Sequence, residues 1–424
     1  MMCFLPSSAM DQQCTNSPVL IASACAVMML LIALIISYHI SNTRTSKSKK
    51  FPPMAPGGLI ETINILSSNN CPWWLLQTAK DLDSSIFRMN LYLPRIPMVL
   101  QVGDPSIAKE IMIDPLTTRP STYSVFDSVT MGKASIFTSN GKYWHDRRKG
   151  MAPAFSSRHV KRMNAVALKK VDEWIQTTLT KMVEEGQAFD VGKEMIGITM
   201  DSIIQTAFEY TMTEDEKILY FHELDLCLKE FMEKSAINPF RQLVGLLIAD
   251  RRRAFVAGKM VSSLSLKMIQ SYHVLETRTK GTIIDCIMNN QSYENNLERA
   301  ADITTLLIAG HDTTAYSLAW IQKELAKNPN EQRRLRDSLR SMDPKEWNHC
   351  EHLHKIVKEG IRLFPVSAGG VVRVLGRDFE TKEGYLLPKR AMAIFPVMNM
   401  SRDPTVLRMP TVSVHHVGII LLRQ

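Results

Sequence analysis

Residues 306–320 read LLIAGHDTTAYSLAW. Ile308, Ala309, Leu318, Ala319 and Trp320 have the character of a buried helix, yet Gly310, His311, Asp312, Thr313 and Thr314 interrupt them. Glycine weakens a helix, and aspartate and threonine compete for its backbone hydrogen bonds. Two readings of the interruption stand open. In one, Gly310 ends a helix and Asp312 or Thr313 caps the next. In the other, the helix loosens at Gly310 and leaves a carbonyl without its amide partner. Asp312 and Thr313 then supply an acid and a hydroxyl for a short proton relay into a dry cavity. The apolar sequence on both sides favours the relay, because a loop there would be buried with its backbone groups unpaired.

The rest of the chain sets the scale of that helix. Its 424 residues allow one large domain or two ordinary ones, and 45% hydrophobic with 22% charged residues is a globular balance. The net charge of +9 is spread, with no basic run longer than Arg251, Arg252 and Arg253 or the cluster at 47–50. Solvated faces account for it without a nucleic-acid partner. Seven cysteines, at positions 3, 14, 25, 71, 227, 286 and 350, never form a CxxC pair. That excludes a zinc ribbon and a disulfide framework and fits a reducing compartment.

Residues 19–40 (VLIASACAVMMLLIALIISYHI) carry no charge and are long enough to span a bilayer as a helix. Asp11 is the one charge before them, whereas Arg44, Lys47, Lys49 and Lys50 follow. The positive-inside rule then leaves residues 1–18 as a short non-cytosolic tail and the body in the cytosol. Residues 41–58 join the basic cluster to a Pro/Gly hinge, FPPMAPGG. In the body, residues 86–102 predict two short strands, and Asp104 with Pro105 predicts a capped helix start. Residues 156–290 are dominantly helical in pattern, a helix is expected around 355–363, and 369–395 are more β-like. The sum is mainly α with a minor β region.

Three further stretches carry candidate chemistry. Trp144 and Arg148 in WHDRR fall one turn apart on a helix and share a face, an arrangement suited to a buried carboxylate or to a plain amphipathic anchor. Glu359 and Arg362 in KEGIRLFP are spaced to pair on a helix that Pro365 ends, and the apolar residues around them make the pair structural. His349, Cys350, His352 and His354 lack zinc spacing, since His352 and His354 fall on different helix faces.

In this order the motifs resemble those of the cytochrome P-450 superfamily of haem-thiolate monooxygenases, from about Ile86 to Pro410. Its WxxxR is met by Trp144 and Arg148, and its (A/G)GxDTT by Ala309, Gly310, Asp312, Thr313 and Thr314. Its ExxR is met by Glu359 and Arg362, and Arg402, Asp403 and Pro404 match a later RDP segment. The anchor and hinge resemble those of membrane-bound eukaryotic members. The resemblance implies a P-450 fold over residues 59–410 with haem as cofactor, an NADPH-dependent reductase as electron donor and a small lipophilic substrate. It implies a single-pass protein of the endoplasmic reticulum that inserts one oxygen atom from O2. By the same resemblance Trp144 and Arg148 contact a haem propionate and Arg373 a second. Ala309 and Gly310 make room for dioxygen, Thr313 holds the activated oxygen by a hydrogen bond, and Asp312 relays protons.

The resemblance stops after Pro410. The family's haem iron is held by a cysteine thiolate downstream of the ExxR helix, and here no cysteine follows Cys350. His415 and His416 come too soon after Pro410 to replace it and lack its electron push. Arg390 stands where glycine is usual, and Ser401 where histidine is common. Residues 411–424 (TVSVHHVGIILLRQ) are expected to be an aberrant tail. Val412 and Ser413 fit a translated splice-donor sequence, which predicts a chain truncated before its metal ligand and inactive as written. The alternative is a non-catalytic truncated product, or a membrane-tethered binding protein.

Overall fold

The computed structural model describes residues 50–66, 68, 70–91, 97–231 and 247–403. The expected anchor at 19–40 and the tail at 411–424 lie outside the described residues. Among the described residues no helix is long and apolar enough to cross a membrane.

Two helices, α1 (Leu59–Leu66) and α2 (Cys71–Asp81), lead into strands β1 (Ile86–Arg88) and β2 (Val99–Val102). These pair antiparallel, Ile86 opposite Val102, as the β-branched sequence predicts. Asp104 caps α3 (Pro105–Ile113) by accepting hydrogen bonds from the amides of Ser106 and Ile107, with Pro105 in the first turn.

The helical body follows: α4 (Gly141–Met151), α5 (Ser157–Trp174), α6 (Val191–Ala207), α7 (Glu214–Leu228), α8 (Ala249–Val274) and α9 (Ile283–Met288). It continues through α10 (Asn296–Lys327), α11 (Pro329–Arg340) and α12 (Glu351–Leu363). Its core gathers Met200 and Ile204 of α6, Tyr220 and Leu224 of α7, Val261 and Met268 of α8, and Ile303 and Leu307 of α10. Each large apolar side chain buried there contributes about 1.5–3 kcal/mol. Asn295 fixes the start of α10, its side chain accepting from the amides of Leu297 and Glu298.

The chain then returns to the sheet with β3 (Val371–Val374), β4 (Phe379–Glu380), β5 (Leu386–Leu387) and β6 (Met392–Phe395). Strand order is β1-β2-β6-β3, with β6 parallel to β2 and antiparallel to β3, while β4 and β5 form a separate pair. Gly370, at φ +75°, turns the chain into β3, where a Cβ would stand 1.6 Å from the carbonyl oxygen of Phe395. No other residue type fits that backbone approach. The protein is thus mainly α with a small β region, as the pattern of residues predicts.

Candidate cofactor site

Helix α10 runs unbroken from Asn296 to Lys327, which corrects the capping reading and the loosening that the relay reading assumed. Gly310 ends no helix, and the helix does not loosen there. The glycine serves helix packing instead: a Cβ would come 2.0 Å from Ile203 Cδ1, so its absence lets α6 and α10 approach. The polar residues are absorbed by the helix itself. Thr313 Oγ1 donates to the carbonyl of Ala309 at 2.8 Å, and Thr314 Oγ1 to that of Gly310 at 3.1 Å. The buried-helix reading also needs correction in its second half, because Ala309, Thr313, Thr314, Tyr316 and Leu318 are exposed. They form an open ledge.

His311 and Asp312 sit at the edge of that ledge. His311 is fully buried, its Nδ1 2.7 Å from the carbonyl of Leu307 and its ring against Tyr220 and Phe221. Its Nε2 stands 3.0 Å from Asp312 Oδ1, off the line a hydrogen bond needs. Asp312 is partly exposed and lines a cavity of about 440 Å³ with Trp73, Tyr316, Trp320, Phe364 and Met398. The rings of Trp320 and Phe364 stack at 4.3 Å across it.

The second part of the site is a cluster of cations. On α4, Arg148 Cζ lies 5.5 Å from the Trp144 ring centroid, the shared face expected from their spacing. Arg119, which has no sequence signal beyond a proline after it, has its Cζ 4.8 Å from the centroid of the same ring. Burial, and then the charges of Arg373 and Arg148, pull the Arg119 guanidinium below its usual value. The three arginines therefore share one neighbourhood. Arg119 donates to the carbonyl of Ser139 at 2.9 Å and Arg373 to that of Val372 at 2.9 Å. Among the described residues no carboxylate lies within 4 Å of any of the three. Strand β3 brings Arg373 here, held in place where the Val372 amide donates to the Tyr123 hydroxyl at 2.9 Å.

Three like charges without a carboxylate among them fit the dianionic edge of a porphyrin, since arginine takes carboxylates in a bidentate fork. The iron side fits less well. Burial pushes the thiol of Cys71 up to about 11 and that of Cys227 to about 12, the reverse of what a thiolate ligand needs. Cys350 is buried before α12 and borders a different cavity, with Ser338, Met342 and His352. Among the described residues no three His, Cys, Asp or Glu side chains group as metal ligands.

Glu359 and Arg362 pair as expected. Arg362 donates Nε and Nη2 to the two oxygens of Glu359 at 2.8 and 2.7 Å, with Glu359 buried. Its Nη1 donates to the carbonyl of Ser401 at 3.0 Å, and Arg402 donates to the carbonyl of Leu363. Ser401 contributes its backbone carbonyl there, and its Oγ donates to the carbonyl of Met398 at 3.1 Å. His352 is half-buried and 3.7 Å from Glu331, while His354 is exposed, so the two diverge as their spacing predicts.

A central helix with an open polar ledge, a buried Glu-Arg pair and an arginine cluster on an aromatic meet in one mainly helical fold. Residues 84–412 match the cytochrome P450 family, and the chain belongs to it. Lithocholate 6-beta-hydroxylase of Mesocricetus auratus is 24% identical, over 89% of this chain and 78% of that protein. Flavonoid-6-hydroxylase of Mentha piperita is 24% identical, over 92% and 81%. Cytochrome P450 3A25 of Mus musculus is 23% identical, over 72% of this chain and 65% of that protein. The chain thus spans slightly less than two thirds of the last. The solved structure of a retinoic acid bound cyanobacterial CYP120A1 superposes with a TM-score of 0.65 at 17% identity, covering 84% of this chain and 79% of that one. That likeness concerns the fold alone. One relative is named for lithocholate and another for a flavonoid, so the likeness selects no substrate.

Proposed function

We propose that the chain carries the scaffold of a haem-dependent monooxygenase acting on a small lipophilic substrate, with electrons from an NADPH-dependent reductase. The supporting observation is that Arg119 and Arg148 lie on the Trp144 ring, with Arg373 close enough for its charge to act on Arg119 and no carboxylate within 4 Å of the three among the described residues. In this reading Arg148, Trp144 and Arg373 take the haem propionates, and Arg119 joins them. Haem, when bound, supplies the activation of dioxygen at its iron. Ala309 and Gly310 would border the bound haem, and the exposed Thr313 hydroxyl would offer a proton at Oγ1 by turning away from the Ala309 carbonyl. Asp312, bordering the cavity, exchanges protons between that cavity and the hydroxyl. Glu359 and Arg362 hold the frame on the far side.

A second reading is a non-catalytic, membrane-tethered binding protein. Burial holds the thiols of Cys71 and Cys227 in their neutral form, so neither would serve as a thiolate ligand. Residues 19–40 and the basic cluster after them support a single-pass anchor in the endoplasmic reticulum with the body in the cytosol. A carbon monoxide difference spectrum of the haem-loaded chain separates the readings. The long-wavelength band of a thiolate-ligated iron is expected under the first reading and is missing under the second. Absence of any haem uptake would overturn the first.

A further inference from the structure

Helix α4 carries the same aromatic-to-arginine spacing twice, offset by one residue. Trp144 and Arg148 form the outward pair. Tyr143 and Arg147 form an inward one, and nothing assigned so far uses it. Arg147 is fully buried, with its guanidinium 3.4 Å from the ring centroid of Tyr143 and 4.2 Å from that of Tyr293. Its Nη2 donates to Glu298 Oε2 at 2.6 Å, and its Nη1 stands 3.8 Å from Asp302 Oδ2. Both acids lie one turn apart on α10. Asp302 also accepts from the Ile136 amide and the Tyr293 hydroxyl, each at 2.6 Å, and the Tyr143 hydroxyl donates to the Ala134 carbonyl at 3.1 Å.

Stability alone does not explain such a cluster, since neutral groups of similar size often replace buried ions at no loss. A charged clamp does fix one orientation out of several. Successive helix positions are about 100° apart around the axis, so clamping Tyr143 and Arg147 against α10 sets where Trp144 and Arg148 point. A small roll of α4 would carry Arg148 away from Arg119 and Arg373.

We infer that Arg147 is a positioning residue: held between Tyr143 and Tyr293 and paired with Glu298 and Asp302, it sets the roll of α4 and so presents Trp144 and Arg148 to the anionic edge of the cofactor. The inference rests on the reading of the arginine cluster as a propionate site.

The test titrates the full chain with haem and with haem dimethyl ester, whose propionates are masked. The parent should prefer the free acid, and Arg148→Ala should cut that preference about tenfold, the loss of one charge-assisted pair. The variant Arg147→Met/Glu298→Gln/Asp302→Asn removes the whole cluster without stranding a charge. It should keep the parent's affinity for the ester and its unfolding midpoint, yet lose the free-acid preference as Arg148→Ala does. A triple variant that keeps the parent's preference makes Arg147 merely structural and overturns the inference. If Arg148→Ala itself leaves the preference unchanged, the propionate reading fails instead. Should the triple variant not fold, Arg147→Lys, which keeps the charge but not the flat stack, decides on the same readout.

Discussion

The two halves of α10 share one unbroken backbone and meet opposite surroundings. From Ala300 to Ile308 every residue is buried except half-buried Leu306, and the polar ones are satisfied inside the protein. Asp302 accepts from Ile136 and Tyr293, and the hydroxyls of Thr304 and Ser265 pair at 2.7 Å. After Ile308 the helix opens, and the hydroxyls of Thr313 and Thr314 have only their own helix to bond. Polarity is similar in the two halves, so polarity does not mark the working surface. The difference lies in burial, and in the partners elsewhere in the fold that Asp302 and Thr304 find, whereas Thr305 also bonds only its own helix.

The strongest way to break this contrast is at Arg147. Arg147→Met leaves Glu298 and Asp302 buried beside an apolar stem, and should cost about 3–5 kcal/mol in urea unfolding. A loss below about 1 kcal/mol, the scale of an exposed pair, would mean that the closed half does not depend on its ions. A paired comparison of leucines comes next. Leu307→Ala, in the closed half, should cost about 2–5 kcal/mol. Leu318→Ala, on the ledge, should stay near 0.5 kcal/mol, roughly the range of surface substitutions. Equal losses would erase the distinction.

Acidity sharpens the comparison further. Burial holds the Asp302 carboxyl above its usual range, against the hydrogen bonds from Tyr293 and Ile136 and the charge of Arg147. The folded chain therefore binds that proton more tightly than the unfolded one. The associated stability is whole below the ordinary carboxylate value, about 4, and is lost as pH climbs through the raised one. Asp302→Asn should accordingly gain on the parent as pH rises from about 4, and a difference in unfolding free energy that stays flat with pH would rule this out. The smallest effect is expected at Thr313→Val, where an exposed hydroxyl bonds its own helix and the loss should be within about 0.5 kcal/mol by thermal unfolding.

Much of this was legible in the residues. Asp104 before Pro105, the β-branched run at 86–102 and the Glu359–Arg362 spacing are local signals, and each took its expected form. The Trp144–Arg148 face was equally local. What escaped depends on contacts made across the chain. Arg119 reaches Trp144 only because the loop at 119 packs beside α4, whereas Arg373 was named through the resemblance alone and arrives by the register of β3 on β6. Arg147 reads as one more charge in a basic helix until α10, some 150 residues later, supplies Glu298 and Asp302. Gly310 misled for the same reason: its missing side chain answers to Ile203 on another helix, which no reading of its neighbours could reveal.

The parallel pairing of β2 with β6 has a consequence for the timing of synthesis. Val99 and Gln101 find Met392 and Ile394 only after about 290 further residues have been made. At about 5–20 residues per second that is roughly 15–60 s of translation. Through that interval β2, whose Val99, Leu100 and Val102 are all buried in the finished protein, has only the short strand β1 as a ladder partner. The helices between have time to assemble while an apolar strand edge waits at the ribosome, and that edge is where a chaperone has most to protect.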